Sequence, residues 1–218
     1  MMSVLLKDEQ EAKVHIDTQE VAVKGGVFFE AVKRFFDIVL SFVGLVCLLL
    51  PMAVIAVFVR LDTPGPAIYK QERLGLNRKP FVMYKFRSMY TNAEDDCPKW
   101  AEKNDERVTP VGRVLRNTRL DELPQLWNIL CGEMSFVGPR PERDCFYVIF
   151  EEYIPNFGQR MLVKPGLTGW AQVHGGYDLE PEEKIVYYLE YIRERSFAME
   201  LNCIIKTVKL VFTHEGAR

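Results

Sequence analysis

The sequence predicts an α+β protein, mainly helical, with one membrane-inserted segment. Three observations lead there. Residues 38–59 form an uncharged apolar run of 22 residues. Two short strand-like stretches, residues 67–71 and Pro80–Phe86, flank Gly75-Leu76-Asn77, the pattern of a β-hairpin. Residues 180–212 repeat apolar side chains at helical spacing. The chain has 218 residues, 48% hydrophobic and 27% charged, which suits one globular domain and excludes a disordered chain.

Asp37 and Arg60 bound the apolar run. At the helical rise it is about 33 Å long, enough to cross a hydrocarbon core. It begins too late, and has the wrong downstream flank, for a cleaved signal peptide. Pro51 lies inside it. Proline lacks the N–H and clashes with the carbonyl one turn back, here that of Cys47, so a kink is expected. Both flanks are basic: Lys33 and Arg34 before, Arg60, Lys70, Arg73, Arg78 and Lys79 after. Lysine and arginine collect on the cytoplasmic side. A segment with two cytoplasmic flanks must enter and return on one side. On the residues alone, a shallow re-entrant hairpin and a kinked span stand level, because spanning helices tolerate proline. A buried core helix ranks below both.

Residues 1–30 are polar and mixed in charge, read as a tail or short helix. Thr63-Pro64-Gly65-Pro66 is a rigid turn. Residues 92–105 are polar and acidic, a surface loop or short helix. Thr109-Pro110 supplies an N-cap and a first-turn proline for a helix that ends near Asn117. A second helix is expected from Thr118 through the apolar stretch 123–130. In the C-terminal stretch, Ile185, Tyr188, Leu189 and Ile192 share a face, as do Leu201, Ile204, Ile205, Val208 and Val211. Such faces either join a core, the commoner case, or lie on a membrane surface.

Several function classes are excluded. With 28 Lys and Arg against 30 Asp and Glu, the chain lacks the basic excess of a nucleic-acid binder. Cys47, Cys97, Cys131, Cys145 and Cys203 lie far apart and form no C-x-x-C, which excludes a zinc ribbon or thioredoxin-type site. Three scattered histidines make a His-rich metal site unattractive.

Charge is organised in three clusters. In 113–125, Arg113 and Arg116 share a helix face, Arg119 follows, and Asp121 and Glu122 come next. At a helix start, unpaired N–H groups favour ionised carboxylate and bind phosphate. A carboxylate beside arginines can serve as nucleophile or Mg²⁺ ligand. Thr118-x-x-Asp121 also reads as a capping box with salt-bridged arginines on a solvated face, the commoner meaning of an isolated pattern. In Gly138-Pro139-Arg140-Pro141, two prolines restrain Arg140, which suits phosphate contact or a simple rigid turn. In 84–89, Lys85 and Arg87 share strand parity and can face one cleft. Together with the apolar run, these clusters describe a membrane-surface enzyme that handles phosphates.

The sequence resembles the bacterial sugar transferases, monotopic phosphoglycosyl transferases that act as polyprenyl-phosphate hexose-1-phosphate transferases. The likeness begins near Lys33-Arg34-Phe35-Phe36-Asp37 and continues to the C-terminus. Its landmarks are the run with Pro51, Thr63-Pro64-Gly65-Pro66, Gln71-x-Arg73-x-Gly75, Lys85-Phe86-Arg87-Ser88-Met89, Arg119-Leu120-Asp121-Glu122-Leu123-Pro124-Gln125-Leu126, Val137-Gly138-Pro139-Arg140-Pro141 and Lys164-Pro165-Gly166-Leu167-Thr168-Gly169-Trp170. The resemblance implies transfer of a sugar 1-phosphate from a UDP-sugar to a polyprenyl phosphate such as undecaprenyl phosphate, with Mg²⁺ and release of UMP. That would start exopolysaccharide, capsule, O-antigen or glycoconjugate synthesis. Asp121 would be the nucleophile and would carry the phospho-sugar. Glu122 would be its dyad partner, and the two would hold the metal. Lys85, Arg87, Arg116 and Arg140 would bind phosphate. The resemblance also implies a re-entrant helix hairpin kinked at Pro51 over residues 31–60. Residues 61–218 would form a compact cytoplasmic catalytic domain with a β-hairpin and amphipathic surface helices. The location implied is the cytoplasmic face of the bacterial inner membrane. Relatives often place serine before this proline; Leu50 stands there instead. A homo-oligomer is compatible with the sequence. Two other readings fit the residue types: a membrane-bound Mg²⁺-dependent phosphohydrolase and an inactive membrane-anchored scaffold. The lack of an Asp-x-Asp pair disfavours the first, and intact Asp121, Glu122 and Arg140 disfavour the second.

Overall fold

A computed structural model describes residues 20–93, 105–176 and 179–213. The apolar run lies in one helix, α1 (Val27–Asp62), which remains helical through Pro51 and is long and apolar enough to cross a membrane. Its residues divide into two faces. Asp37, Ser41, Leu45, Leu48, Met52, Ile55 and Val59, three or four apart, pack on the rest of the chain. Phe35, Phe36, Leu40, Phe42, Val43, Leu49, Leu50 and Phe58 are exposed, a continuous apolar surface that water disfavours and lipid accepts. Gly44 permits close approach to the domain, since a Cβ there would lie 3.1 Å from Leu126 Cδ1.

Both ends of α1 are fastened to the same domain. Near the start, Arg34 donates to the carbonyls of Ile129 and Leu130 at 2.6 and 2.7 Å. Asp37 Oδ1 accepts from Ser135 Oγ and from the Phe136 N–H, both at 3.1 Å. At the far end, Arg87 donates to the carbonyls of Val59, Thr63 and Pro64.

The expected hairpin is present: β1 (Ile68–Leu74) pairs antiparallel with β2 (Pro80–Phe86), in register Ile68↔Phe86 to Leu74↔Pro80. Asn77 and Arg78 take positive φ in the connecting turn. Phe81 and Met83 join Leu126, Ile129 and Met134 under Leu45 and Leu48 of α1. A second cluster combines Val59, Phe86 and Leu115.

The expected helix α2 (Pro110–Asn117) is also present, and Thr109 Oγ1 accepts from Gly112 N–H as its N-cap. The expected helix from Thr118 is not. Thr118 instead donates back to the carbonyls of Val114 and Leu115. Arg119 turns left-handed at φ 57°, Leu120–Glu122 form a 3₁₀ turn, and α3 (Gln125–Cys131) starts only after Pro124. The capping-box reading of Thr118 and Asp121 is thereby overturned: the hydroxyl faces the helix behind it.

Two short strands, β3 (Ser135–Val137) and β4 (Gly166–Thr168), pair in parallel. They bring Gly138-Pro139-Arg140-Pro141 beside Lys164-Pro165-Gly166. The approach is too close for side chains: a Cβ on Gly138 would stand 2.4 Å from the Lys164 carbonyl oxygen. The main core lies between α4 (Asp144–Tyr153), the 3₁₀ segment Phe157–Leu162 and α5 (Pro181–Glu194). It buries Tyr147, Phe150, Phe157, Ile185, Leu189 and Ile192.

The C-terminal periodic region is two helices, α5 and α6 (Phe197–Thr213). The first face is core as expected. In the second, Leu201, Ile205 and Val208 are exposed. Residues 20–26 are neither free tail nor helix. Val21 is buried in the main core, its N–H bound to Gln159 Oε1, and Lys24 N–H donates to the carbonyl of Ile192. The expectations for residues 1–19 and for most of the 92–105 loop fall outside the described residues.

Candidate active site

The sharp turn at Arg119 presents Asp121 and Glu122 together. Leu120 and Leu123 on either side pack on the Val59, Phe86 and Leu115 cluster, which fixes the turn from below. Neighbouring β2 supplies Lys85, and the segment after β3 supplies Arg140. Lys85 Nζ lies 2.8 Å from Glu122 Oε1 and 3.9 Å from Asp121 Oδ2. Arg140 Nη2 lies 2.5 Å from the same Glu122 oxygen.

The two carboxylates are therefore unlike. Asp121 is 7% exposed. Burial pushes its carboxyl up from 3.8 to about 6; Lys85 opposes this, and the charge of Glu122 adds to it. Burial also acts to raise Glu122, but Arg140 and Lys85 outweigh it and hold that carboxylate far below its ordinary range. One acid is held firmly ionised while its neighbour titrates near neutrality, a division of environments that separates roles in catalytic carboxylate pairs.

A cavity of about 670 Å³ opens over the pair, within the range of small-molecule sites. Lys85, Arg87, Arg116 and Arg140 line it with Asp121 and Glu122, so the structure brings all six sequence-predicted residues to one cavity. Arg116 and Arg140 also lower the pKa of Asp121, after the larger influences of burial, Lys85 and Glu122. Arg87 plays a different part from the one expected. Its two terminal nitrogens are committed to the α1 and turn carbonyls, so it secures the helix end beside the cavity.

Sequence reasoning missed Arg160 and Glu142. Arg160 is buried against the rings of Tyr188, Phe157 and Tyr147, at 4.3, 4.9 and 5.5 Å from their centroids. It donates to the carbonyl of Arg140. A lone arginine in an irregular segment gives no sequence signal. Glu142 pairs with Arg73, and that arginine also reaches the Pro141 carbonyl at 3.3 Å. Here the Gln71-x-Arg73 landmark was the available clue.

Among the described residues, no three His, Cys, Asp or Glu gather as a closed metal cage. Mg²⁺ does not need one: it binds through one or two carboxylates, waters and substrate phosphates. The adjacent carboxylates at a cation-lined cavity fit that donor set.

Comparison with known proteins gives a consistent picture. A family model described as bacterial sugar transferase matches residues 28–214. The chain is 39% identical over 190 residues to the UDP-N-acetylgalactosamine-undecaprenyl-phosphate N-acetylgalactosaminephosphotransferase of Aeromonas hydrophila, covering 86% of this chain and 45% of that one. It is 51% identical over 131 residues to a protein of Bacillus subtilis (strain 168) named as a putative undecaprenyl-phosphate N-acetylgalactosaminyl 1-phosphate transferase, covering 60% and 73%. It is 43% identical over 190 residues to the UDP-glucose:undecaprenyl-phosphate glucose-1-phosphate transferase of Escherichia coli (strain K12), covering 85% and 41%. The chain thus spans less than half the length of the first and third of these relatives.

Proposed function

The chain belongs to the bacterial sugar transferase family, and from that premise we propose that it transfers a sugar 1-phosphate from a UDP-sugar to a polyprenyl phosphate, releasing UMP. The observation that carries this reading is the unequal pair. Asp121 is buried, ionised above about pH 6 and set at the cavity beside cations, as an attacking carboxylate requires. An Asp121 oxygen attacks the phosphorus next to the sugar. The bond from that phosphorus to the bridging oxygen breaks, and UMP leaves with the electron pair. A phosphate oxygen of the acceptor then attacks the same phosphorus, and Asp121 departs as carboxylate. The product is a polyprenyl-diphosphate sugar.

Both substrates are anionic and approach an anionic nucleophile. Lys85, Arg116 and Arg140 offset that repulsion and orient the diphosphate. Glu122 holds Lys85 and Arg140 in place. Mg²⁺ bound by Asp121, Glu122 and the substrate phosphates would supply further charge neutralisation.

The arrangement of α1 bears on where the site lies. Arg34 and Asp37 fasten one end of α1, and Arg87 the other, to a single domain, while the face between them packs on that domain throughout. A span would have to place these anchor points across about 30 Å of hydrocarbon. We therefore favour entry and return on one side, bending at Pro51, with the site at the cytoplasmic face of the bacterial inner membrane.

The test is UMP release from a panel of UDP-sugars with Mg²⁺, with and without undecaprenyl phosphate, beside intact-mass measurement of the acceptor-free enzyme. Acceptor-dependent UMP and a sugar-phosphate adduct absent from Asp121→Asn are expected. UMP release to water alone, without acceptor product, would replace the proposal with a hydrolase.

A further inference from the structure

A second cavity, of about 360 Å³, lies where the first turns of α1 meet Val163 and Lys164. It shares no lining residue with the catalytic cavity. Lys33, Arg34, Lys164 and Arg195 line it together with Glu30 and Asp37. Most of these charges already have partners. Lys33 pairs with Glu200, and Arg195 with Glu30. Asp37 accepts from Ser135 and Phe136. Arg34 covers the last carbonyls of α3, where a cation offsets the negative helix end.

Lys164 is the exception. Among the described residues its ammonium has no hydrogen bond or ion pair. Burial, and then the charge of Arg34, lower its pKa. Asp37 and Glu30 oppose that lowering only through space, so a half-buried ammonium with three unused donors still lacks a hydrogen-bonded anion. The space for one is present. Gly132 closes α3 at φ 86°, and a Cβ there would lie 3.2 Å from Arg34 Nη2 and 3.5 Å from Lys164 Nζ. The bare glycine lets the two cations meet there, and both line the open cavity.

The position selects the anion. Val27, 88% exposed, lines this cavity, and Phe28, Phe35 and Phe36 are exposed on the same helix. Arg34 stands just before the uncharged run. When that run lies in hydrocarbon, the cavity sits at headgroup depth, where basic pockets meet lipid phosphate.

We propose that this cavity binds the phosphate of an anionic phospholipid at Lys164, with Arg34 contributing its charge from beside it. The experiment uses the full chain in an uncharged detergent and follows the thermal unfolding midpoint. Added ligands are short-chain phosphatidylglycerol, short-chain phosphatidylcholine and inorganic phosphate at equal concentration. Phosphatidylglycerol raises the midpoint by several degrees in the wild type and in Lys164→Arg. The shift is lost in Lys164→Gln, and phosphatidylcholine gives none. An equal shift in Lys164→Gln, or with phosphatidylcholine, overturns the proposal. A Lys164-dependent shift with inorganic phosphate alone overturns the lipid assignment and leaves a free-phosphate site.

Discussion

Arg160 donates a hydrogen bond to the backbone carbonyl of Arg140, and the side chain of Arg140 in turn grips Glu122. The first arginine touches neither carboxylate. It positions the second, and three aromatic rings position it. Lysine cannot reproduce a planar guanidinium stacked on rings. Arg160→Lys should lower kcat/KM for UMP release by about 10²-fold, the scale of a small misplacement of catalytic groups. Arg140→Ala should cost at least as much. A normal rate in Arg160→Lys would show that Pro139 and Pro141 suffice to hold Arg140.

Asp121→Asn should abolish transfer and stabilise the fold. The folded-state pKa of about 6 lies above the ordinary 3.8, so the native state binds the proton more tightly than the unfolded chain. Stability from this group is present at low pH and lost as pH rises from about 4 through about 6. At pH 8 the wild type carries the full cost of a buried charge, on the order of 3 kcal/mol for a shift of this size. Asparagine removes it. The variant should melt higher than wild type at pH 8, and the gap should close on acidification to pH 4. A constant gap would mean that Asp121 is not the titrating group.

Glu122→Gln should move the acid limb of the rate profile. In the wild type, kcat/KM should fall below about pH 6, as Asp121 takes up a proton. Glutamine removes a negative charge that raises Asp121 and releases Lys85 to pair with it. The residual activity of Glu122→Gln should therefore persist to lower pH. An unmoved limb would place the controlling ionisation elsewhere, for example on the substrate.

Asp37→Ala should destabilise without touching the chemistry. Asp37 is 4% exposed and satisfies the Ser135 hydroxyl and the Phe136 N–H. Leaving the buried Ser135 hydroxyl and the partly buried Phe136 N–H unpaired costs about 1–3 kcal/mol each. The melting midpoint should drop by roughly 5–15 °C for a domain of this size. The pH at which kcat/KM declines should stay the same.

The fold was legible where a residue's local chemistry decides the outcome. Thr109-Pro110 caps a helix in any context, and alternation with a Gly-Leu-Asn break makes a hairpin. It was illegible where tertiary contacts override local preference. Thr118-x-x-Asp121 reads as a helix start, yet the left-handed Arg119 intervenes and turns the carboxylates toward Lys85 of β2. The same applies to Arg87. Its strand parity with Lys85 does bring it to the shared cavity, but no sequence pattern reveals that the end of α1 and the turn after it supply three carbonyls for it. Arg160 was invisible because its partners, Tyr147, Phe157 and Tyr188, are brought together only by packing of the core.

The stripe on α1 that meets the domain is also a boundary along which the chain cannot be cut. Leu45 and Leu48 roof the cluster that holds Phe81 and Met83, while Met52 and Ile55 roof the one that holds Phe86, the residue between Lys85 and Arg87. Removing the first 62 residues to obtain a water-soluble fragment would strip the lid from both clusters. It would also delete the Val59 carbonyl that Arg87 holds, and leave Thr63 and Pro64, its other two acceptors, on a loose chain end. The anchor thus buttresses the strand that carries Lys85 and Arg87 to the cavity, and a detergent that loosens it should abolish UMP release before it unfolds the rest.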